Sequence, residues 1–242
     1  QLQKSTQIKQ RVRQFSENAI TKVKPMVRQR FFNKLAKQID MNTTKFYGKE
    51  WINYYDEIDT AFNKKGKLAT VHQIIASIKP RKVLDLGCNT GMFSVVAARL
   101  GAEVVAIDNS EACIERLYQF AAKELLAITP IIADIANPTP AFGYLGNQFP
   151  ALVERVSADL VIFLGIMHHI VVSCRQSIEQ IAKLLSKVSH KHVIFEFISL
   201  SDENMLHLSS NRMIDYDEES IIKILKRSFK SVEMFDSDRK TR

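Results

Sequence analysis

The sequence is poor in the features that mark membrane-spanning, secreted or disulfide-stabilised proteins. No apolar run in its 242 residues reaches the roughly 18 residues of a membrane span, and no signal-peptide hydrophobic segment opens the chain. The three cysteines, Cys88, Cys113 and Cys174, are odd in number and widely spaced, which argues against a disulfide framework and against a zinc motif. We therefore expect a soluble, cytoplasmic protein with free thiols.

Acidic residues are scarce near the amino terminus. Residues 1–50 contain twelve Lys and Arg but only three acidic residues, Glu17, Asp40 and Glu50. This segment therefore has a formal net charge of +9. The whole chain carries +8, which leaves −1 for the remaining residues. The basic character is thus a property of the amino-terminal segment, and any polyanionic partner is expected to meet it there.

Residues 25–39 predict a basic amphipathic helix that begins at a proline, since their apolar positions have mainly helical spacing. Such a helix either packs its aromatic face on a core or contacts RNA, an acidic carrier or a membrane surface. We expect residues 1–45 to form a basic helical extension and residues 46–242 to form one α/β domain, because 46% hydrophobic content is ample for a core.

A glycine-containing turn between two apolar runs is the most informative motif. Val83-Leu84-Asp85-Leu86 leads into a turn with Gly87 and Gly91, and helical apolar spacing follows from Phe93 to Leu100. A second apolar run ends at Asp108, 21 positions after Gly87, where a nucleotide-binding fold places an acid against ribose hydroxyls. The pattern predicts strand, turn, helix and strand, with a ribose-bearing ligand on the turn.

The turn lacks the G-x-G-x-x-G fingerprint of dinucleotide-binding proteins. Asn89 and Met92 occupy the second and third glycine positions. The charge of Asp85 at the strand end would repel a pyrophosphate and attract a sulfonium or amino group. These substitutions favour S-adenosylmethionine over NAD.

The segment Asp85-Leu-Gly-Cys-Asn-Thr-Gly91 resembles the glycine motif of class I S-adenosylmethionine-dependent methyltransferases. Further landmarks follow in the family's order, with Asp108 for the ribose, Asp134 for the adenine amino group and residues 159–164 as the fourth strand. The resemblance extends from about Phe46 to Asp236. It implies a Rossmann-like, doubly wound, mostly parallel sheet with helices on both faces, and S-adenosylhomocysteine as the product. The implied cofactor-binding residues are Asp85, Gly87, Cys88, Asn89, Gly91, Asp108, Asn109, Asp134, Ile135 and Leu164.

The remaining periodicity predicts the other elements of the domain. We expect helices over residues 111–126, 173–187 and 220–227, strands over 130–134, 191–198 and 231–235, and a pocket-shaping loop over 137–150. Ser110 is expected to cap the first of these helices. Because the family usually adds a final antiparallel strand and the chain starts at Gln1, we expect a fragment of a longer protein that lacks this strand.

Three polar residues near predicted strand ends are candidates for catalysis. His168 and His169 follow the fourth strand, and an imidazole can accept the acceptor's proton near neutral pH. Glu196 interrupts an apolar run and either binds a substrate amine or hydroxyl or pairs with an arginine such as Arg212. A structural role for the histidines remains open, and no clear metal ligand lies near them in the sequence.

Aromatic residues precede the first predicted strand. Tyr47, Trp51 and Tyr54 either belong to the core or form a lid over the cofactor, as elements before the first strand commonly do in this fold.

The acceptor is the least defined part of the prediction. The loop after Asp134 combined with His168-His169-Ile170 resembles, loosely, a bacterial methyltransferase group that includes nodulation host-specificity-like proteins. Gly165-Ile-Met-His168 replaces the Asn/Asp-Pro-Pro-Tyr/Phe motif of DNA amino methylation. We expect an O or N acceptor on a small molecule or metabolite. The alternatives are an RNA or protein methyltransferase that uses the basic segment, and a non-catalytic cofactor-binding module of a larger assembly.

Overall fold

The structure is a computed structural model that describes residues 25–42, 66–202, 205, 216–235 and 237. The chain forms two compact units, Gln1–Phe46 and Tyr47–Arg242. In the first unit, the predicted amphipathic helix is present as α1, Pro25–Asn42. The described residues contain no helix with the length and apolar character needed to cross a bilayer.

Within the described residues, the second unit is built on a five-stranded, entirely parallel sheet. Its strands are β1 (Lys82–Leu86), β2 (Glu103–Asp108), β3 (Ile128–Ile132), β4 (Ala158–Phe163) and β5 (Ser189–Phe195). They lie in the order β3-β2-β1-β4-β5, so β1 is central and the chain reverses direction across the sheet after β3. Ligands of such sheets bind outside the carboxyl ends of the strands at this reversal.

Helices cover both faces of the sheet, as predicted. They are α2 (Lys67–Ile78), α3 (Met92–Arg99), α4 (Glu111–Lys123), the short α5 (Leu152–Arg155), α6 (Ile178–Val188) and α7 (Glu218–Ser228). One hydrophobic cluster joins α2, α3 and α4 to one face, and a second joins α5, α6 and α7 to the other. Neighbouring strand residues such as Val83 and Leu84 belong to different clusters, because successive side chains of a strand point to opposite faces. The doubly wound, Rossmann-like architecture is therefore confirmed.

Side-chain caps fix where several helices begin. Ser110 accepts a hydrogen bond from the N–H of Cys113 at 3.4 Å, which confirms the predicted cap of α4. Ser177 and Gln180 form a reciprocal capping box at the start of α6. The predicted helix over residues 173–187 therefore starts later than expected, and a π-helical turn over His169–Ser173 precedes it.

Two strand predictions at the carboxyl-terminal end were wrong. The fifth strand ends at Phe195, so Glu196 lies just beyond it rather than inside it. Residues 231–235 are not a strand, although their sequence has strand-like composition. A strand requires a neighbour for its backbone hydrogen bonds, and within the described residues nothing pairs with β5 except β4. Met234 and Phe235 are accordingly exposed.

Candidate active site

The turn after β1 requires glycine at two positions. Gly87 and Gly91 have φ angles of 74° and 84°, in the region that favours glycine. A Cβ atom on Gly87 would overlap Ile166, and one on Gly91 would overlap Leu117. The backbone is fastened to the neighbouring strand, since the N–H of Gly87 donates to the carbonyl of Ile107 at 2.8 Å. The turn is therefore a rigid cradle that lies against β2.

Asn89 adopts the left-handed backbone conformation at the position where the dinucleotide fingerprint has its second glycine. Its φ is 51°, a conformation that asparagine tolerates better than most residues. Its N–H donates to Asp108 Oδ2 at 2.8 Å, and its side-chain Oδ1 accepts from the N–H of Thr90 at 2.6 Å. Asn89 thus joins the turn to the acid at the end of β2, which places the two predicted cofactor contacts side by side.

Asp85 is a buried carboxylate behind the turn. The hydroxyl of Ser94 donates to its Oδ2 at 2.6 Å. Burial raises the pKa of Asp85 to about 7, the Ser94 hydrogen bond opposes this shift, and the nearby charge of Asp108 adds to it. A bound cation would favour the ionised form, so this environment fits the sulfonium and amino groups of S-adenosylmethionine.

The acids predicted for ribose and adenine lie at the ends of adjacent strands. Asp108 Oδ1 accepts from the N–H of Ser110 at 2.8 Å, and both of its oxygens keep a lone pair for ribose hydroxyls. Asp134 is exposed just beyond β3, and its Oδ1 accepts from the N–H of Ala136 at 2.9 Å. Since β3 pairs with β2 in parallel, the two acids lie on the same edge of the sheet.

The other predicted cofactor residues differ in what they present to this edge. Asn109 is exposed, whereas Ile135 and Leu164 are half-buried. The thiol of Cys88 is buried, and burial raises its pKa well above the usual value. Cys88 packs in the core cluster of α2, α3 and α4, so its side chain faces away from solvent. Only the backbone of Cys88 contributes to the turn.

Both candidate histidines lie shortly after β4. His168 is buried and His169 is half-buried, with their ring centroids 4.0 Å apart. Burial lowers the pKa of His169, so its imidazole is neutral at physiological pH. A neutral imidazole is the form that accepts a proton.

Glu196 is buried beyond the end of β5, and its partner is a lysine. Lys67 Nζ lies 2.9 Å from Oε2 and 3.1 Å from Oε1 of Glu196. The carboxylate also lies against the loop after β4, because a Cβ on Gly165 would be 3.7 Å from Oε2. Ser237 contributes a long hydrogen bond of 3.5 Å to Oε1. The predicted alternative partner, Arg212, lies outside the described residues.

Sequence reasoning missed Lys67 and Ser94. Ser94 lies nine positions after Asp85, across the turn, and a polar residue on the buried side of the glycine helix was an available signal. Lys67 had no such signal, because 129 positions separate it from Glu196 and two other lysines stand close by in the sequence.

Two further predictions concern the surroundings of the site. The proposed lid residues Tyr47, Trp51 and Tyr54 lie outside the described residues. The loop over 137–150 contains a small hairpin in which Phe142 and Phe149 exchange two backbone hydrogen bonds of 3.0 Å and stack their rings at 4.7 Å. Among the described residues, no group of three or more His, Cys, Asp or Glu side chains is arranged to hold a metal ion.

Known proteins that are similar to this chain include a probable S-adenosylmethionine-dependent methyltransferase. The profile of the family "Tellurite resistance protein TehB" matches residues 50–144. Nodulation protein NoeA of Rhizobium meliloti (strain 1021) is 29% identical over 177 residues, which cover 72% of this chain and 37% of NoeA. A probable S-adenosyl-L-methionine-dependent methyltransferase, TehB of Haemophilus influenzae (strain 10810), is 33% identical over 88 residues, or 35% of this chain and 31% of that protein.

The matched profile and these relatives support a class I S-adenosylmethionine-dependent methyltransferase domain in this chain. The similarity to TehB and the turn after β1 both support S-adenosylmethionine as the cofactor. The crystal structure of monomeric WbdD, with a TM-score of 0.50 and 22% identity over 71% of this chain and 40% of WbdD, shares the fold. The chain spans only about a third of the length of the curated relatives that it matches.

Proposed function

We propose that this methyltransferase transfers the methyl group of S-adenosylmethionine to an oxygen or nitrogen atom of a small-molecule acceptor in the cytoplasm. The observation that carries the proposal is the neutral, half-buried His169 beside His168, at the edge of the sheet where the cofactor turn also lies.

The order of the strands supports a division of the site into two sides. The predicted adenine and ribose contacts follow β3 and β2, the turn follows β1, and the histidines and Glu196 follow β4 and β5. A cofactor that extends across β3, β2 and β1 would direct its methyl group towards β4. The acceptor would then lie over β4 and β5, next to His168, His169 and Glu196.

In this arrangement the chain's residues position the reactants and accept a proton. The cofactor supplies an electrophilic methyl carbon whose bond to sulfur breaks as the acceptor's lone pair attacks it, with the electron pair leaving on sulfur. His168 or His169 takes the proton that the acceptor loses, and its neutral form has the lone pair to do so. Glu196 accepts a hydrogen bond from an acceptor O–H or N–H while Lys67 holds the carboxylate in place.

The pH dependence of the reaction tests the identity of the base. Because burial lowers the pKa of His169, activity should rise as pH increases through a value below 6.5 and then level off near neutrality. Replacement of the base by glutamine should reduce turnover roughly 100-fold or more and remove this rise. The affinity for S-adenosylhomocysteine should not change.

The assay uses labelled S-adenosylmethionine with fractionated extracts of small metabolites, RNA and protein. Wild type, His168→Gln and His169→Gln are compared, with His192→Gln on the exposed part of β5 as the control. A labelled small product that depends on one of the two histidines supports the proposal. Label found only in RNA or protein, or full turnover in both histidine variants, contradicts it.

A further inference from the structure

The described side chains of helix α1, at positions 27, 29–35 and 37, fall into three stripes. Val27, Phe31 and Leu35 are spaced four residues apart and therefore share one side of the helix, next to Phe32. All four side chains are exposed, Phe31 by 62% and Phe32 by 56%, and the two rings pack edge to face at 5.7 Å. These exposed side chains form the apolar stripe.

The second stripe is basic and borders the apolar one. Arg30, Lys34 and Lys37 have helical spacing and are exposed. The sequence contains no acidic residue between Glu17 and Asp40, so the sequence of α1 has four Lys and Arg residues and a single carboxylate, Asp40, near its end. The third stripe is polar and uncharged, and in it the side-chain amide of Gln29 donates to Asn33 at 3.0 Å.

We propose that α1 docks on an anionic membrane surface, with the apolar stripe at the boundary between head groups and acyl chains. The geometry of the stripes carries this inference. A helix that lies in a bilayer interface needs large apolar side chains on one side and Lys or Arg beside them, since the long basic side chains reach back to the lipid phosphates. The charge of residues 1–50, at +9, has the sign that anionic lipid attracts.

The apolar stripe favours a membrane over RNA as the partner of α1. Binding to a nucleic acid backbone depends on the basic side chains and is reduced by salt, and aliphatic residues such as Val27 and Leu35 contribute nothing to it. Binding to a membrane interface depends on both stripes, because burial of Phe, Leu and Val contributes binding free energy that salt does not screen.

Vesicle sedimentation of the full chain tests the proposal. We expect binding to mixed phosphatidylcholine–phosphatidylglycerol vesicles and much weaker binding to pure phosphatidylcholine vesicles. Combined Phe31→Gln and Phe32→Gln should lower the partition coefficient by about tenfold or more, although the net charge is unchanged. Replacement of Arg30, Lys34 and Lys37 by glutamine should lower it by about fivefold for each charge removed.

Matched variants elsewhere in the chain provide the controls. Tyr118→Gln with Leu125→Gln removes two exposed apolar side chains from the second unit, and Lys223→Gln with Lys226→Gln and Arg227→Gln removes three exposed charges from α7. Both control variants should bind anionic vesicles as wild type does. Unchanged affinity for S-adenosylhomocysteine in every variant shows that the second unit is intact.

Three results would overturn the proposal. The first is an absence of vesicle binding by wild type, with or without binding to single-stranded RNA. The second is vesicle binding that the Phe31→Gln and Phe32→Gln changes leave intact. The third is self-association of wild type that these same changes abolish, which would assign the apolar stripe to a second copy of the chain.

Discussion

At the scale of single residues, Gly87 brings the turn after β1 against the loop that follows β4. A Cβ atom on Gly87 would overlap Cγ2 of Ile166, in the loop after β4, so a methyl group would not fit there. Gly87 also has a positive φ of 74°. Space and backbone conformation therefore both demand glycine at this position.

Gly87→Ala should weaken binding of S-adenosylhomocysteine by at least about tenfold, because the turn must move away from Ile166 to make room for the methyl group. Isothermal titration calorimetry measures the effect. Gly101→Ala is the matched control, since Gly101 has a φ of 93° but open space around its Cβ position. It should cost about 1–2 kcal/mol of backbone strain and leave the affinity unchanged. Equal affinities of the two variants would contradict this account of the turn.

Asp85 should make the ligand-free protein lose stability as pH rises. Its pKa is about 7 in the folded state and 3.8 by reference, so between these values the folded state binds the proton that the unfolded state has released. The free energy of unfolding therefore falls across this window, by about 4 kcal/mol for the full shift.

Urea denaturation of wild type and Asp85→Asn at several pH values measures this contribution. The variant keeps an oxygen that can accept the Ser94 hydrogen bond but has no titrating group. Its stability relative to wild type should increase as pH rises from about 4 to about 7. Parallel pH profiles for the two proteins would show that Asp85 is not the titrating group.

At the scale of secondary-structure elements, the Lys67–Glu196 ion pair connects the beginning of α2 to the end of β5. The Glu196 side chain is only 4% exposed and that of Lys67 is 18% exposed. Loss of one partner from a buried pair leaves a desolvated charge behind, which is far more costly than loss of a surface pair.

Lys67→Met should lower the free energy of unfolding by about 3 kcal/mol, because it removes the ammonium from a buried carboxylate. Lys191→Met is the control, as it breaks a pair with Asp159 in which the lysine side chain is 63% exposed. The control should cost less than about 1 kcal/mol. Chemical denaturation compares the variants, and similar losses in both would place Glu196 in a more hydrated environment than its burial indicates.

The elements also differ in how well the sequence predicted them. The strand, turn and helix from Lys82 to Arg99 were close to their predicted positions, since a short apolar run, two glycines and helical apolar spacing define them locally. Residues 231–235 had a similar composition and formed no strand. A strand depends on a neighbouring strand, and local composition carries no information on whether one is available.

At the scale of the whole molecule, cofactor binding should stabilise the folded protein by mass action. S-adenosylhomocysteine at about 100 times its Kd should add about 2.7 kcal/mol to the free energy of unfolding. For a chain of this size, Tm should rise by about 5–10 °C, as measured by thermal denaturation.

The control for thermal stabilisation is NAD, a ribose-bearing ligand with a pyrophosphate. It should produce almost no shift, because Asn89 and Met92 stand where the dinucleotide fingerprint has the glycines that let the backbone approach a pyrophosphate. A shift by NAD equal to that by S-adenosylhomocysteine would contradict the selectivity inferred from the turn.

The sequence by itself determined the alternation of strands and helices, the glycine turn and the acids at Asp85 and Asp108, because each depends on residues close together in the chain. Only the tertiary structure decided that Ile166 packs against Gly87 and that Lys67 is the partner of Glu196. Periodicity and turn chemistry act over a few residues, whereas these contacts join distant segments that the parallel sheet brings to one edge.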